Sequence, residues 1–123
     1  MNKLILLFAS IMLSSFAYVE EDDPCKKGSA AASIQCQEPR WKAAEKELQS
    51  TYNATLKELK EASPHLVKDL VEAQRTWIRF REQYCGVYGR SRVEGNPWTA
   101  FWEGECLAEE ARSCTKALKQ MIE

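Results

Sequence analysis

The chain has 123 residues, 45% hydrophobic and 28% charged, which is the composition of one ordinary globular domain. Its 17 basic and 18 acidic residues give a formal charge of −1. A near-neutral balance of this kind excludes a general binder of nucleic acid or of anionic membrane surfaces.

The chain opens with Met1-Asn2-Lys3 and an apolar run from Leu4 to Ala17, the charged start, short hydrophobic region and small-residue exit of a secretory signal peptide. Cleavage after Ala17 fits best, with residues 1–17 as the signal. The run falls short of the roughly 20 residues of a membrane span, and acidic Glu20 to Asp23 follow it where a stop-transfer segment would be basic. The expectation is therefore export to the periplasm or the exterior, with no stable membrane insertion after cleavage. Loss of Lys3 leaves 16 basic against 18 acidic residues, and all five cysteines stay in the mature part. In an oxidising compartment disulfides are the default for them.

Residues 18–35 are acidic and then small and polar, with no amphipathic pattern, and are expected to form a loosely held arm tied by Cys25 and Cys36. From Pro39 the residues Trp41, Ala44, Leu48, Tyr52, Thr55 or Leu56, Leu59 and Ala62 recur at helical spacing, predicting a first helix over about 39–62. Ser63-Pro64 is a cap followed by a favoured first-turn proline, so a second helix is predicted over about 64–85. The connection is short enough to force an αα-hairpin with the two apolar stripes facing each other. In the second helix that stripe is Leu66, Leu70, Ala73, Trp77, Phe80 and Tyr84, with Arg81 near its edge and in need of a carboxylate, for which Glu105 is the expected partner.

Residues 86–96 contain three glycines and no periodicity, and are predicted as the one long loop. Asn96-Pro97 repeats the cap signal, and a third helix is predicted over about 97–121, with Gly104 a weak point. The result is an all-α, three-helix up-down bundle stapled by disulfides. Cys25 with Cys36 and Cys85 with Cys106 are the favoured pairs; Cys25–Cys85 with Cys36–Cys106 stays open. Cys114, two turns beyond Cys106, is expected to be the free thiol.

In order along the chain, Cys36, Ala44, Glu47-Leu48, Tyr52, Ala73-Gln74-Arg75, Trp77, Phe80-Arg81, Cys85 and Cys106-Leu107 resemble the LprI-type lysozyme-inhibitor domain family. The specific part is the run Ala73, Gln74, Arg75, Trp77, Phe80, Arg81 and Cys85. The resemblance spans Cys25 to Leu118, with residues 36–123 as the helical domain, and implies a small exported bacterial helical protein that binds a protein partner, c-type lysozyme above all. Two departures stand out: Cys114 replaces an expected arginine, and residues 97–102 are unusually aromatic.

The candidate contact residues are Tyr88, Arg90 and Arg92 in the predicted loop and Trp98 and Trp102 one turn apart beyond it. An arginine there could engage the two catalytic carboxylates of a lysozyme cleft. Alternatively, the protein's acidic patches could meet the basic outside of a lysozyme. His65 stands alone and the cysteines form no Cys-x-x-Cys pair, so no metal and no cofactor are expected. Glu103, Glu105, Glu109 and Glu110 are read as a solvated or salt-bridged face, and the protein as a binder with no catalytic residues. The alternative function is an envelope interaction or stability module with a partner other than lysozyme.

Overall fold

The computed structural model describes residues 22–123, so the expected signal peptide at 1–17 and the start of the arm lie outside the described residues. Three helices make up the described part: α1 (Ala30–Ala62), α2 (Val67–Arg92) and α3 (Trp98–Lys119), with 3-10 turns at Pro24–Lys26 and Pro64–Leu66. No strand occurs among the described residues. The all-α, three-helix class read from periodicity holds, and none of the helices is apolar enough over sufficient length to cross a membrane. The boundaries differ in instructive ways.

Helix α1 begins at Ala30, well before Pro39, because Ser29 caps it: its hydroxyl accepts from the Ala32 N–H at 3.1 Å, and three alanines follow. Residues 30–35 are thus helix and not part of a loose arm, and Ala32 is buried. Pro39 lies inside the helix, where it removes a backbone hydrogen bond at a cost of about 3 kcal/mol. Tertiary anchors on the preceding turn offset that cost. Cys36 is bonded to Cys25, and Gln37 Nε2 donates to Phe101 O at 2.8 Å and to Glu105 Oε1 at 2.9 Å.

Helix α2 does not stop at Cys85 but runs on through Gly86 and Gly89 to Arg92, so most of the predicted 86–96 loop is helix. Gly89 is there for proximity, not for flexibility. A Cβ at that position would lie 2.8 Å from Thr99 O and 3.2 Å from Glu103 Cβ, so the backbones of α2 and α3 touch at this point. Gly104 plays a related part between α3 and α1, where the α3 backbone meets the Gln37 side-chain amide of α1 and leaves no space for a Cβ. What remains of the loop is the turn 93–97, with Gly95 at φ +76° and Asn96 Oδ1 accepting from the Trp98 N–H at 2.9 Å.

These two close approaches settle α3 against both other helices, while α1 and α2 meet only sparsely. The core gathers Ala44, Leu48, Ala111 and Leu118, flanked by Tyr52, Leu70, Trp77 and Cys114. The expected face-to-face packing of the first two stripes is therefore replaced by packing of each against α3. Phe80 and Tyr84, read as core, are 55% and 44% exposed, because α3 covers only one side of α2. Arg81 pairs with Glu45 of α1 and not with Glu105, and lies 4.7 Å from the Trp77 ring centroid. Glu105 is instead held by two residues of α1, Gln37 and, at 3.1 Å, Arg40.

The disulfides are the favoured pairs, Cys25–Cys36 and Cys85–Cys106. The second joins α2 to α3 below the turn, and a cross-link over a loop of this size contributes about 3 kcal/mol. Cys114 is free and half-buried, its Sγ 3.7 Å from Gln74 Oε1. Burial pushes its thiol above the ordinary range, against a partial lowering by Gln74 and the charge of Arg81.

Helix propensity favours Gly89→Ala by about 1 kcal/mol, but the clash with Thr99 O reverses the sign. The expected outcome is a net loss of about 2 kcal/mol in urea unfolding, and a stabilised variant would contradict the close approach. A raised pKa leaves less thiolate at a given pH, and the thiol is half-buried, so at pH 8 iodoacetamide should label Cys114 of the native protein more slowly than free cysteine, with the difference lost in denaturant. Native labelling at the free rate would show the thiol to be open.

Candidate functional site

The end of the bundle beyond the Cys85–Cys106 bond collects four of the five candidate contact residues. Tyr88 and Arg92 are one turn apart near the end of α2, and Trp98 and Trp102 are one turn apart at the start of α3. The Arg92 guanidinium carbon stands 4.6 Å from the Trp102 ring centroid and 5.7 Å from that of Tyr88. Trp98 meets Phe101 edge-on at 5.4 Å and Phe101 meets Trp102 edge-on at 5.2 Å, so the rings form one continuous cluster.

Short-range bonds hold this cluster in place. Thr99 Oγ1 donates to Val93 O at 2.6 Å across the turn, and Ser91 Oγ donates to Tyr88 O at 2.7 Å. Cys85 precedes Tyr88 by one turn and Cys106 follows Trp102 by one turn, so the disulfide fixes the two helices where their aromatic residues begin. Arg90 does not join the cluster. Two residues along a helix rotate a side chain by roughly 200°, and the Arg90 guanidinium lies back along α2 beside Gly86. Among the described residues neither Arg90 nor Arg92 has a carboxylate within ion-pair distance.

Next to the cluster, a groove of about 310 Å³ runs between α2 and α3. Tyr84, Tyr88 and Trp102 wall it, and Glu105, Glu109, Glu110 and Arg112 line its polar side. Glu105 is already engaged by Gln37 and Arg40, and Glu109 accepts from Arg112 at 2.8 and 3.1 Å. Glu110 is half-buried and has no ion pair among the described residues.

Sequence reading missed the groove because it ended the second helix at Cys85. With the helix continued through the glycines, Tyr84 and Tyr88 fall at i and i+4 on one face, and that spacing was the available signal. The family-run residues divide between roles: Trp77 and Arg81 face the interior, Gln74 reaches Cys114, Phe80 stacks on Tyr84 at 5.5 Å, and Ala73 is exposed. His65 is exposed, and no group of three potential metal-ligating side chains occurs among the described residues.

Residues 25–122 match the family described as lysozyme inhibitor LprI. An uncharacterized protein of Rhizobium meliloti (strain 1021) is 31% identical over 119 residues, covering 87% of this chain and 85% of that protein. No solved structure matches.

Proposed function

The chain belongs to the LprI lysozyme-inhibitor family, and from that premise we propose that it inhibits a c-type lysozyme by presenting Arg92 to the carboxylates of the enzyme's cleft. One observation carries the reading: the Arg92 guanidinium is held on the Trp102 ring and has no carboxylate of its own among the described residues.

Arginine stems are costly to order on binding, and a guanidinium already stacked on two rings has lost much of that freedom beforehand. Its planar edge still offers paired N–H donors, which suit a carboxylate in bidentate fashion. A lysozyme cleft supplies two carboxylates placed for catalysis, and occupying either one blocks substrate. The tip is also narrow. Only the turn 93–97 and the ends of two helices need to enter, and Trp98 and Phe101 add apolar area behind the arginine.

In this reading Arg92, Tyr88 and Trp102 form the contact and Trp98 backs them through Phe101; what supports it is the stacking of Arg92 on Trp102 and Tyr88, which Arg90, beside Gly86, does not share. Export past the inner membrane, which the first 17 residues encode in this reading, brings the protein to the compartment where lysozyme acts.

In a cell-wall lysis assay with c-type lysozyme, Arg92→Ala should weaken inhibition about 30-fold, corresponding to about 2 kcal/mol for losing one partner of a desolvated charge pair. Arg90→Ala should stay within about twofold, as expected for a charge outside the contact. Full inhibition by a folded Arg92→Ala protein would move the contact to another surface. A folded, oxidised wild-type protein without inhibition would remove lysozyme as the target.

A further inference from the structure

We infer that the groove between α2 and α3 is a receptor for a basic side chain, an arginine in first place, offered by the protein that the tip engages. The identity of that protein rests on the reading above; the chemistry of the groove does not.

The walls are aromatic and the open polar side is acidic, a combination that suits a cation with a flat face. The same rings already hold one guanidinium. Arg92 stands on Trp102 and Tyr88, yet it is not among the residues lining the groove, so its contact leaves the cavity beside it open for a second cation. At about 310 Å³ the space is at the small end for a free ligand and matches a single long side chain.

The charge distribution points the same way. Three carboxylates and one guanidinium line the groove. Glu105 is committed to Gln37 and Arg40, and Glu109 shares Arg112, so Glu110 is the carboxylate left for a guest, with Glu109 in reserve. Arginine fits better than lysine because its plane stacks on Tyr84, Tyr88 or Trp102 while its edge donates to the carboxylate.

The arrangement also sets opposite charges side by side on one face. Arg92 points a cation outward, and the groove next to it receives one. The surface it complements therefore has an acidic depression bordered by a basic side chain, which is what a carboxylate-bearing cleft in a basic protein offers.

The test uses the oxidised protein with N-acetyl-arginine amide as probe, followed by NMR at the Trp102 indole and the Tyr84 and Tyr88 rings, in parallel with lysozyme binding. Saturable shifts confined to those rings, weakened about fivefold or more in Glu110→Gln, are expected, with N-acetyl-alanine amide giving none. Against lysozyme, the Glu109→Gln, Glu110→Gln double variant should bind about tenfold more weakly and with a shallower salt dependence. Absence of ring shifts, or shifts equal in Glu110→Gln, overturns the groove even if lysozyme inhibition by the wild type is intact. Probe binding at the groove with no lysozyme binding keeps the groove and removes lysozyme as the source of the side chain.

Discussion

Everything in this fold depends on how closely α3 can approach its two neighbours. At Gly89 and Gly104 there is no room for a single carbon, so backbone meets backbone on the α2 side and backbone meets the Gln37 amide on the α1 side. A helix normally loses stability at an interior glycine, by about 1 kcal/mol relative to alanine. Here the loss is offset by drawing three helices into contact where one is too thin to fill a wider gap. Once α3 is seated, the positions of the disulfide, the aromatic cluster and the groove all follow.

The same wedge explains the electrostatics of the interior. With α1 and α2 held apart, the space between them is spanned by long side chains: Arg81 reaches Glu45, stacked on Trp77 on the way. The Arg81 side chain is only 11% exposed, so the pair is more than a surface ion pair, and removing either partner would leave a poorly solvated charge. Nearer the start of α1, Glu105 takes Gln37 and Arg40 and ties the first turns of α1 to α3. Each acid is used by the helix directly across from it, which is a matter of register between helices.

Register is the part that a single sequence expresses least. Three helices, their order, the proline-marked start of α3, the free Cys114 and the favoured disulfide pairs were legible, because each depends on local signals: 3.6-residue periodicity, Asn96-Pro97 and cysteine spacing. Ser63-Pro64 marked the break after α1, but Ser63 makes no side-chain cap and α2 begins only at Val67, after a 3-10 turn. The Arg81 partner was not, since Glu45 and Glu105 are equally plausible until the helices are placed. Gly86 and Gly89 were misread for a related reason. A glycine that breaks a helix and a glycine that admits a neighbouring backbone look the same in sequence, and only the presence of α3 distinguishes them. The early start of α1 was written locally in Ser29 and the alanines after it, but Pro39 was the louder signal. At the tip, Tyr88, Arg92, Trp98 and Trp102 were found by residue type, whereas the separation of Arg90 from Arg92 came only with their placement on a helix.

Extending α2 changes what kind of surface the tip presents. A glycine-rich loop of eleven residues would order its arginines only on meeting a partner, and the ordering would subtract from affinity. In the structure, Tyr88 and Arg92 are instead on a helix clamped to α3 by Cys85–Cys106 on one side and by the Thr99–Val93 bond on the other. Arg92 is thereby presented on a rigid base, its stacking partners fixed before any encounter. If the tip makes the proposed contact, such preorganisation strengthens it, because area alone does not set affinity. The glycine close to the tip, far from loosening it, is what allows α2 and α3 to come near enough for that rigidity.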